Sequence, residues 1–575
     1  MSTPNPISLD SMTRRRGFTA LFLLEMWERF GYYGMAILMV LFLKEYLGFS
    51  DTHANLTWGA FAAMVYATPV IGGWIGDRIL GTRRTTVLGA IVLGIGYLLL
   101  AIPGPTWFLF FSLGVIATGN GLFKANPNNL VSKLYEGNSA KLDGAFTIYY
   151  MAINLGAFAS QILTPIIRVR YGWHFAFGIS AIGLALGTAN FLMMRRYLTQ
   201  VGSKPDFDPF PYLRFILVLA GTLGMALIIM GVLQSVEVAR WVVWGTAVVL
   251  GGIFAYLIAN SSRGARSGLI AMLLLTAQGI LFFIFYQQMS TSLTLFALRN
   301  VTLNFYGYLI PPEQFQVLNP FWIWILSPIL ALVYNALGKH RKDLNIATKF
   351  FLGFVMLAIG FFIYGLSGGF AHGGLVSPWW MIWGYFFQSF GELLISGLGL
   401  AMVTRFVAPQ LRGFMMGAWL LATGISQYLG SMVANVASVP DRLNDLARML
   451  PASYHATLSA LPSALANRLM GLNLEDFRLW ITGHAIRHGG EGLAAFTSLP
   501  APTQALLEKL NHGFYLATLP LYIRLFLLLG VAAVGAALLA ALMIPLLKRL
   551  GTNLAEPPGT QILPEHELGD QPTPS

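Results

Sequence analysis

The segment TALFLLEMWERFGYYGMAILMVLFLKEYL, residues 19–47, is apolar over a length that crosses a bilayer, yet it carries Glu25, Glu28 and Arg29. Roughly 20 apolar residues span the ~30 Å of hydrocarbon as a helix. Comparable runs follow near 55–80, 85–103, 107–132, 144–167, 172–194, 214–234, 240–260, 268–297, 319–338, 350–367, 378–407, 412–437 and 515–547. This spacing predicts an all-α polytopic membrane protein with about 14 transmembrane helices. The runs are continuously apolar and lack the alternation of a membrane β-barrel. Composition agrees: 56% of the 575 residues are hydrophobic and 10% charged, where soluble domains carry about a quarter charged residues. Zero cysteines exclude disulfides, thiolate metal sites and cysteine nucleophiles.

The net charge of +12 is explained by placement and requires no nucleic-acid partner. Arg14–Arg16, Arg78/Arg83/Arg84, Lys133/Lys141, Arg195/Arg196, Arg263/Arg266, Lys339/Arg341/Lys342, Arg405/Arg412 and Lys548/Arg549 fall in alternate connections. By the positive-inside rule both termini face the cytoplasm of a multi-pass inner-membrane protein, and the basic loops meet anionic lipid. The N-terminus lacks the small-residue cleavage site of a signal peptide. The Pro-rich tail from about 551 reads as disordered. Residues 438–513 are polar, include Arg442, Arg448, Glu475, Asp476, Arg478 and Arg487, and fall outside by parity. DRLNDLARML and PTQALLEKL carry apolar residues at helical spacing, so this insertion reads as a cap of small amphipathic helices, with a docking or gating lid as the other reading.

Ionisable groups at bilayer depth cost about 2.5–3.5 kcal/mol each on insertion scales and usually face a cavity or a partner. Glu25, Glu28, Arg29, Tyr32 and Tyr33 share one face of the first span. This is either a packing ion pair or a titrating site in which one glutamate pairs Arg29 and the other needs a cation or proton. GNGLFKANPNN places Lys124 before Pro127, with Glu25 or Glu28 as its natural counter-charge, unless it snorkels toward Lys133. Glu392 in GELLISGLG has no nearby base in sequence and implies a protonated group or a cationic ligand. Asn154, Gln287, Gln288 and Asn319 are polar candidates, each also suited to an interhelical hydrogen bond. Pro320 could open a span around a cavity, and Tyr66, Phe283 and Trp419 could line one. In GWIGDRILGTRR, the residues Gly73, Asp77, Arg78, Gly81, Arg83 and Arg84 form an acid–base loop able to latch two helices together in one state.

These motifs resemble the proton-dependent oligopeptide transporters of the major facilitator superfamily, and within it the bacterial di- and tripeptide permeases. The resemblance rests on Glu25, Glu28, Arg29 and Tyr33, on GNGLFK, on DGAFTIYYMAINLGAF, and on VLNPFW, GELLISGLGLAMVTRFVAP and MMGAWLL, in that order. It runs from about 20 to 437 and resumes in the last span. It implies a major facilitator fold: a cytoplasmic N-terminus (1–18), a six-helix bundle (19–197), a linker with two extra helices (198–266), a second six-helix bundle (267–547) interrupted by the 438–513 insertion, and a tail (548–575). It implies import of di- and tripeptides with protons by alternating access, with no cofactor beyond the proton gradient, as expected for a site between repeats. By the same resemblance Arg29 and Lys124 would hold the peptide carboxylate, and Glu392 with Asn154 and Asn319 its amino group. Tyr33, Tyr66 and Trp419 would line side-chain pockets, and Glu25, Glu28, Arg29 and Lys124 would couple the proton.

Three positions depart from the pattern. Ala36 and Gln287 stand where relatives often pair an arginine with an acid, so this outer gate is expected to lack its ion pair and to close by packing or other polar contacts. Gly59 replaces a histidine found in some branches, so coupling cannot rest there. A transporter of the same fold for nitrate or a peptide-like metabolite is the nearest rival, although Arg29, Lys124 and Glu392 together suit a zwitterion better than a simple anion. An intramembrane enzyme would need a metal or nucleophile–base constellation, and neither HExxH nor clustered histidines occur. The sequence leaves the oligomeric state open, with a single copy expected to suffice.

Overall fold

The structure is a computed structural model that describes residues 10–136, 139–339, 344–481 and 496–552. The tail beyond 552, Arg341, Lys342 and Arg487 lie outside the described residues. The first six crossings are α1 (Ser11–Leu41), α2 (Asp51–Ala67) continued by α3 (Pro69–Ile75), α4 (Thr82–Leu100), α5 (Thr106–Leu134), α6 (Ser139–Tyr171) and α7 (Trp173–Met194). Then come α8 (Tyr212–Leu233) and α9 (Val236–Asn260). The second set is α10 (Arg263–Tyr286) with α11 (Ser292–Asn300), α12 (Leu318–Lys339), α13 (Ile346–Leu366), α14 (Pro378–Ile395) with α15 (Leu398–Phe406), α16 (Arg412–Ala434) and α21 (Ala501–Thr552). Four short helices precede the last: α17 (Leu443–Ala447), α18 (Ala452–Ser459), α19 (Ser463–Met470) and α20 (Leu474–Ile481).

Among the described residues, eleven helical segments are long and apolar enough to cross a membrane on composition alone. The remaining three of the fourteen expected crossings are α1, α14–α15 and α16, which pack lengthwise on α6 and α7, on α13, and on α2. They fall short in hydropathy because they carry buried polar groups such as Glu28, Gln388, Glu392 and Gln427. The helices that look least like membrane spans are therefore among those that line the interior.

Within the first set α1 packs on α6 and α7, and α4 on α5 and α7; within the second α13 packs on α14 and α21, and α10 on α16. Helix α8 lies on α5 and α9 on α16, so the linker pair touches both bundles. Leu213, Ile216, Leu217, Trp241 and Val248 stay exposed on this pair, as suits side chains that face lipid.

The insertion is built of small helices, as its apolar spacing predicts, with one difference. PTQALLEKL does not form a separate cap helix; it opens α21, which runs unbroken from the insertion through the last crossing. Leu443, Leu446, Leu469, Phe477, Trp480, Leu507 and Phe514 form a small core of their own. The apolar face of α21 is buried against α17–α20 outside the bilayer and against α13 within it, so no helix break separates the two environments.

The loop GWIGDRILGTRR meets a different partner from the one its charges suggest. Asp77 accepts a hydrogen bond from Asn129 Nδ2 at 2.8 Å and, among the described residues, pairs with no arginine. The acid that organises the loop is Asp206, from the segment before α8. Its carboxylate accepts from the backbone N–H groups of Arg83 and Arg84 at 3.2 and 3.4 Å. Ser203 Oγ accepts from Thr82 N at 2.9 Å, while Arg83 and Arg84 donate to the carbonyls of Leu198 and Pro205 at 3.0 and 2.9 Å. Gly81 adopts φ 101°, and a Cβ there would sit 2.3 Å from Asp206 Oδ1. The loop thus ties the first bundle to the linker rather than to the second bundle. Removing the charge from a carboxylate that caps orphan helix N–H groups costs about 1–3 kcal/mol. Asp206→Asn is expected to lower the thermal unfolding midpoint in detergent, whereas Asp77→Asn leaves it nearly unchanged.

Candidate functional site

The site is built where two helices break. The α10 crossing is interrupted over Gln287–Thr291 before α11 resumes, and the α14 crossing is interrupted at Ser396–Gly397, one turn past Glu392. Irregular backbone at membrane depth is tolerated where it lines a cavity. Ser290, Gln287, Ser396 and Gly397 all face one cavity of about 400 Å³ between the two bundles, within the range of small-ligand sites. A larger groove of about 580 Å³ lies between α3, α5 and α8. Its walls are mostly apolar, Ile71, Trp74 and Leu217 among them, with Arg78 and Arg214 also lining it.

Tyr33, Tyr66, Lys124, Asn154, Asn319, Glu392, Trp419, Phe283 and Gln287 line the inter-bundle cavity, as their sequence motifs predict. Glu392 Oε2 accepts from Asn319 Nδ2 at 2.6 Å, and Asn319 also reaches Ser389 Oγ at 3.1 Å. Tyr286 hydrogen-bonds the same carboxyl group. Asn154 returns a bond from its Nδ2 to the Tyr150 carbonyl at 3.1 Å. The Trp419 indole is seated by two close approaches. A Cβ on Gly279 or on Gly399 would come within 2.5 Å of its ring. Phe283 holds it edge-on at 6.2 Å.

Arg29 is not among the residues facing the cavity. It is 3% exposed, pairs with Glu25 at 3.3 Å, and donates to Glu28. It also stacks over Tyr32 at 5.4 Å. The expectation that only one glutamate pairs Arg29 therefore needs correction: both do, because the i, i+3, i+4 spacing wraps one guanidinium between two carboxylates. Glu25 also accepts from Tyr149 Oη at 2.7 Å, while among the described residues Glu28 Oε1 and Arg29 Nη2 have no hydrogen-bond partner. Lys124 lies within electrostatic reach of Glu25 and Glu28. Among the described residues, however, it makes no ion pair, contrary to its expected counter-charge. Lys124 thus presents a cation to the cavity without a fixed anion.

Other expectations are redistributed. Gln288 turns away from the cavity and donates to the Gly430 carbonyl at 2.9 Å. Pro320 sits in the first turn of α12, where no N–H is needed, so it starts the helix without interrupting it. Gly59 lies against Ser431. Tyr150, Gln161, Tyr286, Gln316 and Gln427 line the cavity and escaped the sequence reading. Tyr150 lay one turn before Asn154 and Tyr286 beside Gln287, a usable signal; the three glutamines carried none. Among the described residues no group of three or more His, Asp or Glu could hold a metal.

At the end of the bundles opposite the chain termini, the two halves are joined by ion pairs. Gln287 and Ala36 are neutral as expected, with Gln287 donating to Ser431 Oγ at 3.2 Å. Further out, ion pairs between other residues join the halves. Arg168 of α6 makes a forked contact with Glu313, just before α12, at 2.6 and 2.8 Å. Asp51 of α2 receives both terminal nitrogens of Arg299 of α11 at 2.6 and 2.8 Å. Sequence distance hides both pairs, since their members lie 145 and 248 residues apart.

The tight seat of Trp419 gives a direct test. Gly279→Ala adds a methyl where the ring must shift, and overpacking of this kind costs about 1–3 kcal/mol. Gly245→Ala, in a helix position with open space around the Cβ, is expected to stabilise by about 1 kcal/mol through helix propensity. Thermal unfolding of the two variants should move in opposite directions.

The geometry agrees with comparison to known proteins. The family model described as the POT family matches residues 83–449. The dipeptide and tripeptide permease A of Escherichia coli (strain K12) is 43% identical over 452 residues, covering 77% of this chain and 90% of that protein. The permease of the same name from Proteus mirabilis (strain HI4320) is 43% identical over 438 residues, covering 76% and 89%. The crystal structure of tetrameric PepTSo2 superposes with a TM-score of 0.73 at 43% identity, covering 93% of this chain and 99% of that one. A peptide transporter POT in complex with alafosfalin superposes with a TM-score of 0.71 at 26% identity, covering 93% and 95%. With the motifs, the helix order and the cavity in agreement, the chain belongs to the POT family.

Proposed function

We propose that this protein is a proton-coupled symporter that imports di- and tripeptides across the cytoplasmic membrane by alternating access, with both termini in the cytoplasm. The observation that carries the reading is the charge layout of the inter-bundle cavity: an unpaired Lys124 from the first bundle and Glu392 from the second. A zwitterionic peptide fits that layout with its carboxylate toward Lys124 and its amino group toward Glu392, Asn154 and Asn319. Tyr33, Tyr66 and Trp419 supply walls for its side chains. Binding both ends at once draws the bundles together, which is a differential contact of the kind that shifts a two-state equilibrium.

Proton coupling is assigned to Glu25, Glu28, Arg29 and Lys124. With both glutamates charged, Arg29 is held between them and is not among the residues facing the cavity. A proton on Glu28 frees part of the guanidinium, which then adds to Lys124 as a carboxylate contact. The proton gradient is the driving force and no cofactor is required. Basic residues on the face that carries the termini support the orientation. All of these groups come from one chain, so one copy is expected to transport.

The test is uptake of labelled dialanine into proteoliposomes with and without an inward proton gradient. Wild type is expected to accumulate peptide uphill only with the gradient. Lys124→Gln and Glu392→Gln each remove a charge-assisted contact worth about 1.5–3 kcal/mol, and should weaken apparent peptide affinity roughly 10- to 150-fold. Glu28→Gln should abolish uphill accumulation while peptide exchange persists. Absence of peptide uptake and competition in wild type under either condition overturns the peptide assignment.

A further inference from the structure

The insertion between α16 and α21 contributes a charge to the contact that closes the bundles. The Arg299 side chain is fully buried and donates five hydrogen bonds beyond its own helix, to Asp51, Glu475 and Tyr522. Besides Asp51, its Nε and Nη2 donate to Glu475 Oε1 of α20 at 2.9 and 2.6 Å, and its Nη1 donates to Tyr522 Oη of α21 at 2.7 Å. Lys44, just past α1, approaches Asp51 at 3.0 Å and Glu475 at 3.5 Å. The Val439 N–H, at the entry to the insertion, donates to Asp51 at 2.9 Å. Two cations and two anions thus share one buried site assembled from the first bundle, the second bundle and the insertion.

We propose that α20 of the insertion is a working part of the closure on the face opposite the termini: Glu475 completes an ionic lock with Lys44, Asp51 and Arg299 that holds the bundles together while the cavity is shut on that side. The charge count gives the reason. Without Glu475, one carboxylate would face two buried cations, and a buried unpaired charge is strongly unfavourable. The closed arrangement therefore depends on the insertion, while the open one, in which water reaches Arg299 and Lys44, does not. A buried ion cluster adds little to overall stability but discriminates sharply between two packings.

The remaining surroundings fit this role. Arg478, one turn along α20, donates to the Leu298 carbonyl at 3.4 Å and lies over the Tyr515 ring at 4.5 Å, so the insertion grips both α11 and α21. Burial alone pushes the Glu475 carboxyl up, but Arg299 and Lys44 outweigh it and hold it down at about 2, with Asp51 opposing them. A depressed carboxyl keeps its contribution until pH falls below the ordinary carboxylate range. The acid side of a proton gradient therefore leaves this lock charged, and its release must come from the bundle movement itself.

The lock rests on the alternating-access reading above, but its test needs no peptide. The chain has zero cysteines, so a single Ala36→Cys in the cavity wall reports access. Labelling by a membrane-impermeant maleimide is followed from each side in right-side-out and inverted vesicles. From the side opposite the termini, Glu475→Gln is expected to raise the labelling rate on the order of tenfold, whereas Glu475→Asp stays near wild type. Glu508→Gln, an exposed acid of the same insertion, should change nothing. Retention on size exclusion and the unfolding midpoint establish that each variant is folded. If Glu475→Gln does not fold, Lys44→Gln, which unbalances the same cluster, takes its place with the same expected rise. A folded variant whose labelling stays within twofold of wild type overturns the lock, whatever the outcome of the peptide assay.

Discussion

Charge in a low-dielectric medium is the constraint on which the rest of this structure depends. An ion at bilayer depth must be paired, hydrated or neutralised, and the chain answers that demand differently at three depths. Within the first bundle, Arg29 is clamped by Glu25 and Glu28. In the cavity, Lys124 and Glu392 face space that a solute can enter. At the far rim, Asp51, Arg299, Lys44 and Glu475 neutralise one another across the join. Under the proposed mechanism the sites differ in what replaces the partner, respectively a proton, a peptide terminus, and water admitted by bundle movement.

On that proposed reading the same few residue types bind, couple and gate. A fully paired cluster discriminates between packings, because opening it exposes charges that closing it must match. A half-paired cluster invites a ligand. Lys124 belongs to the second kind, and its lack of a fixed anion makes a carboxylate-bearing solute the natural occupant. Glu392 is intermediate, held by the neutral donors Asn319 and Tyr286, which orient it without cancelling its charge.

The polar helices show how the cavity is built without destabilising the bundles. Breaks at Gln287–Thr291 and Ser396–Gly397 turn backbone and side-chain polar groups toward the cavity, while the apolar faces of α10 and α14 still pack on α16 and α13. Trp419 is seated in the space left by Gly279 and Gly399, so a large aromatic wall is fixed by the absence of two side chains. On the opposite face of the membrane, the Asp206 junction fixes the linker to the first bundle alone, leaving the second bundle free of that restraint.

Much of this was legible in the sequence. Hydropathy determined the number and order of crossings, because transfer into hydrocarbon depends on local composition. Helical spacing determined that Glu25, Glu28 and Arg29 share a face, because 100° per residue is a property of the helix itself. The motifs around Lys124, Asn154, Asn319, Glu392 and Trp419 named the charged groups and several of the polar and aromatic groups of the cavity wall. Tertiary structure decided which of these charges are spent on one another. It turned Arg29 inward and left Lys124 open, gave the basic loop Asp206 in place of Asp77, and closed the rim through Asp51, Arg299 and Glu475, where the Ala36 and Gln287 positions suggested no ion pair. The reason is physical: pairing depends on distances between residues hundreds of positions apart, and a one-dimensional pattern records which charges exist but not which ones meet.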